Sequence, residues 1–229
     1  MFERDFIPPA FAFELSNGCN FSAIHPKCPT EANVEPIILS TQIIKDTVDY
    51  FGTQNWNGTL YLNIYNEPLI DPRLFMLLEY IKEHCGCGVN IWTNGWYLDQ
   101  NFVTELNALN VSLTVTSYTV SEKERIKKLK GKIIGHMHEL DDRMSIYDSP
   151  AKNQGKCHFP STYGMVNHKG HLVLCCMDCK YTHHFADLNI VGIKEALESE
   201  ERIRICNELE AGTRSLEVCK KCKLPGWGI

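Results

Sequence analysis

The chain has 229 residues, of which 44% are apolar and 22% charged, enough to bury one sizeable core together with a small appendage. Its formal net charge of −5 argues against a nucleic-acid partner, because binding to phosphates requires clustered lysine and arginine. No apolar run reaches eighteen residues and the first residues include acids, so the sequence predicts neither a membrane span nor a secretory signal. The expected compartment is the cytoplasm, with no membrane partner.

Between residues 11 and 138, strand-like segments alternate with amphipathic segments of helical spacing. The predicted strands lie at 11–15, 59–64, 89–92, 111–116 and 132–138. Ser40 is a possible cap for the first helix, and Gly86 can end the second. Because strands alternating with helices form βαβ units around a parallel sheet, the sequence predicts an α/β fold.

Polar and turn-forming residues follow strand after strand. Cys19 comes after the first, Tyr65-Asn66-Glu67-Pro68 after the second, Thr93-Asn94-Gly95 after the third, and Ser117 after the fourth. In parallel α/β sheets, ligands bind at the carboxyl edge of the strands. We therefore expect these residues to open onto one cleft.

The alternating pattern stops around residues 139–156, which read as a linker rich in Asp, Ser, Pro and Gly. Beyond it, segments 163–166 and 171–174 predict a hairpin, and segment 192–209 predicts a helix. We place a domain boundary near residue 150, which divides the chain into domains 1–150 and 151–229.

Seven of the eleven cysteines lie in the last third of the chain. Cys157 is followed by twelve residues, a glycine, four residues and Cys175, and the chain later supplies Cys219-Lys-Lys-Cys222. Four thiolates from a hairpin and a distant C-x-x-C pair make a closed tetrahedral site for zinc or an iron–sulfur cluster. Disulfides are the alternative, but in a reducing cytoplasm cysteine clusters more often bind metal.

Together these motifs resemble the radical S-adenosylmethionine (radical SAM) enzymes that carry a C-terminal SPASM or shortened twitch domain. The resemblance covers nearly the whole chain: Asn66-Glu67-Pro68-Leu69 is similar to the family's G-G-E-P motif, Thr93-Asn94-Gly95 to its T-N-G, and the late cysteines to the twitch pattern. It implies a partial (β/α) barrel, an auxiliary [4Fe–4S] cluster and an electron donor such as flavodoxin or ferredoxin. It also implies that S-adenosylmethionine binds near Asn66, Glu67, Pro68, Thr93, Asn94 and Ser117, and that the cluster binds to Cys157, Cys175, Cys219 and Cys222.

The family's signature after the first strand is C-x-x-x-C-x-x-C, and this chain departs from it. If Cys28 is taken as the third cysteine of the signature, His25 stands where the second cysteine is expected. The stretch between Cys19 and His25 is then two residues longer than in the signature. An imidazole can replace a thiolate on iron, as in Rieske centres, but it raises the potential, whereas cleavage of S-adenosylmethionine requires a strongly reducing cluster. Two interpretations stay open: a second cluster on Cys19, His25 and Cys28, or a lost site.

The resemblance implies that S-adenosylmethionine is cleaved to a 5′-deoxyadenosyl radical, which takes a hydrogen atom from a small molecule or peptide. The short segment before Phe11 favours a small molecule. The outcome is dehydrogenation if the auxiliary cluster accepts an electron, or epimerisation if Cys176 or Cys179 returns a hydrogen atom. The alternatives are a catalytically degenerate relative that binds a metal or a partner, and a structural zinc protein.

Overall fold

The computed structural model describes residues 7–25, 28–30, 35–137, 144–148 and 155–222. Its central element is an eight-stranded sheet with the order β5-β4-β3-β2-β1-β6-β7-β8. All pairs from β5 to β6 along this order are parallel, whereas β6–β7 and β7–β8 are antiparallel. The strands are β1 Ala10–Phe13, β2 Thr59–Tyr61, β3 Gly88–Thr93, β4 Ser112–Ser117, β5 Ile133–Met137, β6 Tyr163–Val166, β7 His171–Val173 and β8 His184–Asp187.

Helices connect the parallel strands and extend the chain after the hairpin. They are α1 Thr41–Thr53, α2 Leu74–His84, α3 Gln100–Ala108, α4 Val120–Ile126, α5 Phe159–Thr162, α6 Ile193–Leu197, α7 Glu200–Ala211 and α8 Glu217–Lys221, with 3-10 turns at Pro68–Ile70 and Met144–Ile146. No described helix is long and apolar enough to span a lipid bilayer.

The sheet has two different faces because successive side chains along a strand point to opposite sides. In β1, Phe11 and Phe13 belong to the large apolar core that also contains residues of α1, α2 and α3. Ala12 belongs instead to a second cluster on the opposite, concave face. The outer strands β5 and β8 do not pair with each other, so the predicted partial barrel is confirmed.

Several boundaries differ from the prediction. The helix expected at 192–209 is two helices, because Ser199 interrupts it and its hydroxyl accepts the amide of Arg202 at 3.4 Å as a new cap. Ser40 precedes α1, but its side chain makes no capping hydrogen bond. The first two strands end at Phe13 and Tyr61, earlier than predicted.

The C-terminal segment extends the same sheet. Strand β6 pairs with β1 in parallel, and β8, which periodicity did not reveal, adds the last strand. The β6–β7 hairpin lies where the sequence predicted it. The boundary near residue 150 stays a prediction, and part of the expected linker lies outside the described residues.

Candidate cofactor and iron–sulfur sites

Glu67 is the buried centre of the carboxyl edge of the sheet. Its side chain accepts hydrogen bonds from the Thr93 hydroxyl at 2.7 Å, the Asn94 amide at 2.8 Å and the Leu69 amide at 3.0 Å. Its own amide donates to the carbonyl of Gly18 at 3.0 Å. Burial raises the pKa of Glu67, and the three donors oppose that shift. Glu67 thus joins three loops: its carboxylate bonds within the loop after β2 and to the loop after β3, and its amide bonds to the loop after β1.

Asn94 connects this carboxylate to the N-terminal thiols. Its side-chain amide donates to the Asn20 side chain at 2.8 Å and lies 4.0 Å from the Sγ of Cys19. Gly95 follows with φ of 73°, where a Cβ atom would lie 2.6 Å from a methyl carbon of Val115. The T-N-G turn therefore needs its glycine both for backbone conformation and for space.

The other predicted cofactor residues shape the same edge in different ways. The Asn66 side chain accepts the amide of Ile64 and donates to the carbonyl of Leu62, so it braces the turn after β2. Pro68 begins the 3-10 turn. Ser117 ends β4 and is buried, and within the described ranges the structure gives its side chain no hydrogen bond to Glu67 or Asn94.

The Cys28 thiol lies close enough to Cys19 to influence its ionisation. Burial raises the pKa of Cys19 to about 11, and the Glu67 carboxylate and the Cys28 thiol add to the shift. The Sγ of Cys19 accepts the amide of Phe21 at 3.4 Å, and the Thr30 hydroxyl donates to the Sγ of Cys28 at 3.3 Å. In such surroundings a thiolate needs a bound cation, and a metal-coordinated thiol is deprotonated.

His25 belongs to the same loop and is 8% exposed. Its ring centroid lies 5.7 Å from that of Tyr118, directly after β4, and its carbonyl accepts the amide of Cys28 at 3.0 Å. The loop thus carries two thiols and one imidazole, of which the Cys19 thiol lies beside Asn94 and Glu67. That donor set fits an iron–sulfur cluster with one nitrogen ligand, the chemistry of Rieske-type ligation.

The four C-terminal cysteines come together in one apolar cluster. Cys157 donates its amide to the carbonyl of Leu209 at 2.8 Å, Cys175 follows β7, and Cys219 and Cys222 lie on and just after α8. Around them pack Ile146, Leu174, Ile205, Leu209 and Val218. The structure therefore joins the hairpin thiol to the distant C-x-x-C pair.

Their electrostatics show that these thiols are neighbours. Burial raises the pKa of Cys219 to about 12, the thiols of Cys157 and Cys222 add to the shift, and Arg214 opposes it. Burial also raises the pKa of Cys175 well above its usual value, and Cys219 adds to it. Arg214 donates to the carbonyls of Cys219 and Gly155, which ties the two ends of the site together.

In the described part of the chain, no three Cys, His, Asp or Glu side chains stand close enough to hold a single metal ion. In zinc sites all four sulfurs lie about 2.3 Å from one ion. In a [4Fe–4S] cluster each thiolate binds a different iron, so the sulfurs stand farther apart. Two buried and two partly buried thiols packed in one apolar cluster are a donor set that fits such an iron–sulfur cluster.

Cys176 and Cys179, the candidate hydrogen-atom donors, have different surroundings. Cys179 is buried, and its thiol donates to the sulfur of Met144 at 3.5 Å. Cys176 is partly exposed beside the aromatic residues of the concave face, and its carbonyl accepts the hydroxyl of Tyr65. Both residues belong to the cluster on the concave face of the sheet, Cys179 as a buried member and Cys176 as a partly buried one.

Asp178 and Glu14 are two buried carboxylates that gather hydrogen bonds near these sites. Asp178 is fully buried and accepts four hydrogen bonds, from Tyr147, Thr182 and His183. Glu14, 2% exposed at the end of β1, accepts from the amide and Nδ1 of His168 and from the hydroxyl of Tyr181. The sequence signal that could have identified Glu14 is the presence of an acidic residue within an otherwise apolar strand segment.

The remaining cysteines lie away from these sites. Cys85 and Cys87 flank Gly86 between α2 and β3, where Cys85 is buried in the large core, and Cys206 is buried on α7. These positions fit their interpretation as small apolar residues.

Residues 157–223 match the model of the SPASM family, described as an iron–sulfur cluster-binding domain. A search of curated proteins found no significant match. Among solved structures, BtrN in complex with AdoMet and 2-DOIA superposes with a TM-score of 0.82 at 20% identity, covering 95% of this chain and 94% of that chain. Native anSMEcpe with bound AdoMet superposes with a TM-score of 0.64 at 14% identity, covering 93% and 86%.

The auxiliary cysteines predicted from spacing, Cys157, Cys175, Cys219 and Cys222, all fall inside the matched domain. The match is to a family that binds iron–sulfur clusters, not zinc. The neighbours share the fold over nearly their whole length. The chain therefore has the fold of the radical SAM enzymes and carries at residues 157–223 a SPASM iron–sulfur cluster-binding domain.

Proposed function

We propose that this protein is a radical S-adenosylmethionine enzyme. One observation carries the proposal: the loops after three parallel strands meet at the buried residue Glu67, and the side chain of Asn94, whose backbone amide donates to the Glu67 carboxylate, lies within 4.0 Å of the Cys19 thiol. A cofactor site and a cluster site therefore adjoin. S-adenosylmethionine bound there would supply the chemistry of hydrogen-atom abstraction from an unactivated C–H bond.

The chain's own residues would bind and orient the cluster and the cofactor. Cys19, His25 and Cys28 would hold the N-terminal cluster and leave one iron open. The carboxylate of Glu67 is occupied by donors of this chain, so its role is to fix the positions of the 66–68 loop and of Thr93-Asn94. We assign the cofactor-binding surface to these loops, with Ser117 at its rim.

We place the substrate on the concave face of the sheet. Its lining includes Tyr61, Tyr65, Phe159, Tyr163, Cys176 and Tyr181. Aromatic walls with a few hydroxyl groups are typical of pockets for small organic ligands. The BtrN structure contains 2-DOIA beside AdoMet, which supports a small molecule, and an anSMEcpe structure contains the Kp18Cys peptide, which keeps a peptide as the other candidate. A flavodoxin- or ferredoxin-type protein would supply the electron.

After the first hydrogen atom has been removed, the reaction type depends on whether the substrate radical loses an electron or receives a hydrogen atom. The SPASM domain supports dehydrogenation, with its cluster as the electron acceptor. Epimerisation would instead need a thiol facing the substrate, and the partly exposed Cys176 fits that need better than Cys179, which is buried against Met144. The substrate carbon that loses its hydrogen must lie on the concave face in either case.

Formation of 5′-deoxyadenosine tests the proposal without knowledge of the substrate. Protein reconstituted with iron and sulfide under anaerobic conditions, reduced with dithionite and given S-adenosylmethionine should slowly release 5′-deoxyadenosine. Cys28→Ser should abolish the product, whereas Cys87→Ser, which alters a thiol at the opposite end of the sheet, should not. Iron-loaded wild-type protein that forms none would be a catalytically degenerate relative, and the proposal would be wrong.

A further inference from the structure

The turn 175–181 links the auxiliary-cluster domain to the barrel. It begins with the cluster-site residue Cys175, two positions after the end of β7, and ends at Tyr181. Within it, the amide of Asp178 donates to the carbonyl of Cys175 at 3.2 Å, and the amide of Tyr181 donates to the carbonyl of Asp178 at 2.8 Å. The fully buried side chain of Asp178 closes the turn from inside. The turn is therefore a rigid unit.

Two tyrosine hydroxyls fasten this unit to the carboxyl edge of the barrel. Tyr65, 8% exposed, donates to the carbonyl of Cys176, and Tyr181 donates to the Glu14 carboxylate at 2.7 Å. The two rings lie 6.0 Å apart. Tyr181 also has φ of 50°, a left-handed conformation that a bulky residue keeps only where its surroundings impose it.

Tyr65 stands directly before Asn66-Glu67-Pro68, the loop assigned above to S-adenosylmethionine. Its backbone belongs to that loop, while its hydroxyl holds the turn that carries a cluster ligand. A buried side chain that bridges two packed units transmits a displacement of one to the other, because neither can move without breaking the hydrogen bond.

We propose that Tyr65 is a positioning residue that couples the cofactor loop 66–68 to the auxiliary-cluster turn 175–181, so that binding of S-adenosylmethionine at the loop tightens the turn. The inference rests on the proposed function for the identity of the ligand. Coupling of this kind is a free energy shared by two sites, and it acts equally in both directions. The loss of the Tyr65 hydroxyl should uncouple the two sites without removing either.

Hydrogen–deuterium exchange of the iron-loaded protein measures this coupling directly. The amides of Asp178, Tyr181, Thr182 and His183 are hydrogen-bonded within or just after the turn, so their exchange reports its opening. Saturating S-adenosylmethionine should slow their exchange about fivefold, the factor that one ordinary hydrogen bond corresponds to. A peptide from α1 serves as the reference for any general slowing.

Tyr65→Phe removes only one oxygen atom and is the decisive variant. It should still bind S-adenosylmethionine and retain its iron, but the slowing in the turn should disappear. Tyr80→Phe is the matched control, because it loses a hydroxyl bonded to the Asp49 carboxylate at 2.8 Å on the outer surface, and it should behave like wild type.

The outcomes separate this inference from the proposed function. Equal slowing in wild type and Tyr65→Phe, or no slowing in wild type that has bound S-adenosylmethionine, would overturn the coupling. If Tyr65→Phe fails to fold or to hold iron, exchange of the turn amides in wild type with and without S-adenosylmethionine still tests whether the ligand tightens the turn. Failure of wild-type protein to bind S-adenosylmethionine at all would refute the proposed function itself.

Discussion

Replacing Asp178 by alanine should destabilise the C-terminal domain strongly. The side chain is fully buried and accepts hydrogen bonds from the Tyr147 hydroxyl at 2.9 Å, the Thr182 amide at 3.0 Å and hydroxyl at 2.8 Å, and the His183 amide at 2.9 Å. Each buried donor left without a partner costs about 1–3 kcal/mol. The lower end for four donors gives a loss of roughly 4 kcal/mol.

A loss of that size is measurable as a shift in melting temperature. For a chain of this length 1 kcal/mol corresponds to about 2–4 °C, so Asp178→Ala should melt about 10 °C below wild type. Asp178→Asn can keep the oxygen that accepts three of the four bonds. Its new NH2 group replaces only the oxygen that accepts the His183 amide. This variant should therefore melt about 4 °C below wild type.

The assay is thermal unfolding by circular dichroism of iron-loaded protein, with iron content measured on the same samples. Asp49→Ala is the control, because that aspartate also accepts a tyrosine hydroxyl, from Tyr80, but is 47% exposed. It should melt within about 2 °C of wild type. An Asp178→Ala protein that melts within about 2 °C of wild type and retains all its iron would refute the reasoning.

Three further results are expected. Cys219→Ala should lower the iron content and the melting temperature, because the cluster closes a long loop between Cys157 and α8; unchanged values for both would contradict the ligand assignment. Wild-type protein should bind about eight irons per chain rather than about four, His25→Cys should preserve that count and His25→Ala should reduce it. Gly95→Ala should lower stability by about 1–3 kcal/mol, because φ is 73° and the new methyl would approach Val115 to 2.6 Å; urea unfolding with an unchanged midpoint would contradict this.

The sequence by itself determined which segments between residues 11 and 138 form strands and helices, and that the loops after these parallel strands lie at one edge of the sheet. Alternating apolar periodicity is a local property, and the rule that parallel strands carry their ligand loops on one edge turns it into a prediction. Cys19, Glu67 and Asn94 meet at that edge accordingly. The spacing of the C-terminal cysteines likewise predicted the site that the SPASM match covers.

Only the tertiary structure decided how the parts are joined. The Tyr65 bond to Cys176 spans 111 residues, and the Tyr181 bond to Glu14 spans 167, so no local pattern predicts either. Strand β8 escaped prediction because its four residues carry no clear alternation of apolar and polar side chains, and pairing with β7 stabilises it. Periodicity reports which face of an element is buried, but the partner that covers that face depends on contacts distant in sequence, which only the folded chain supplies.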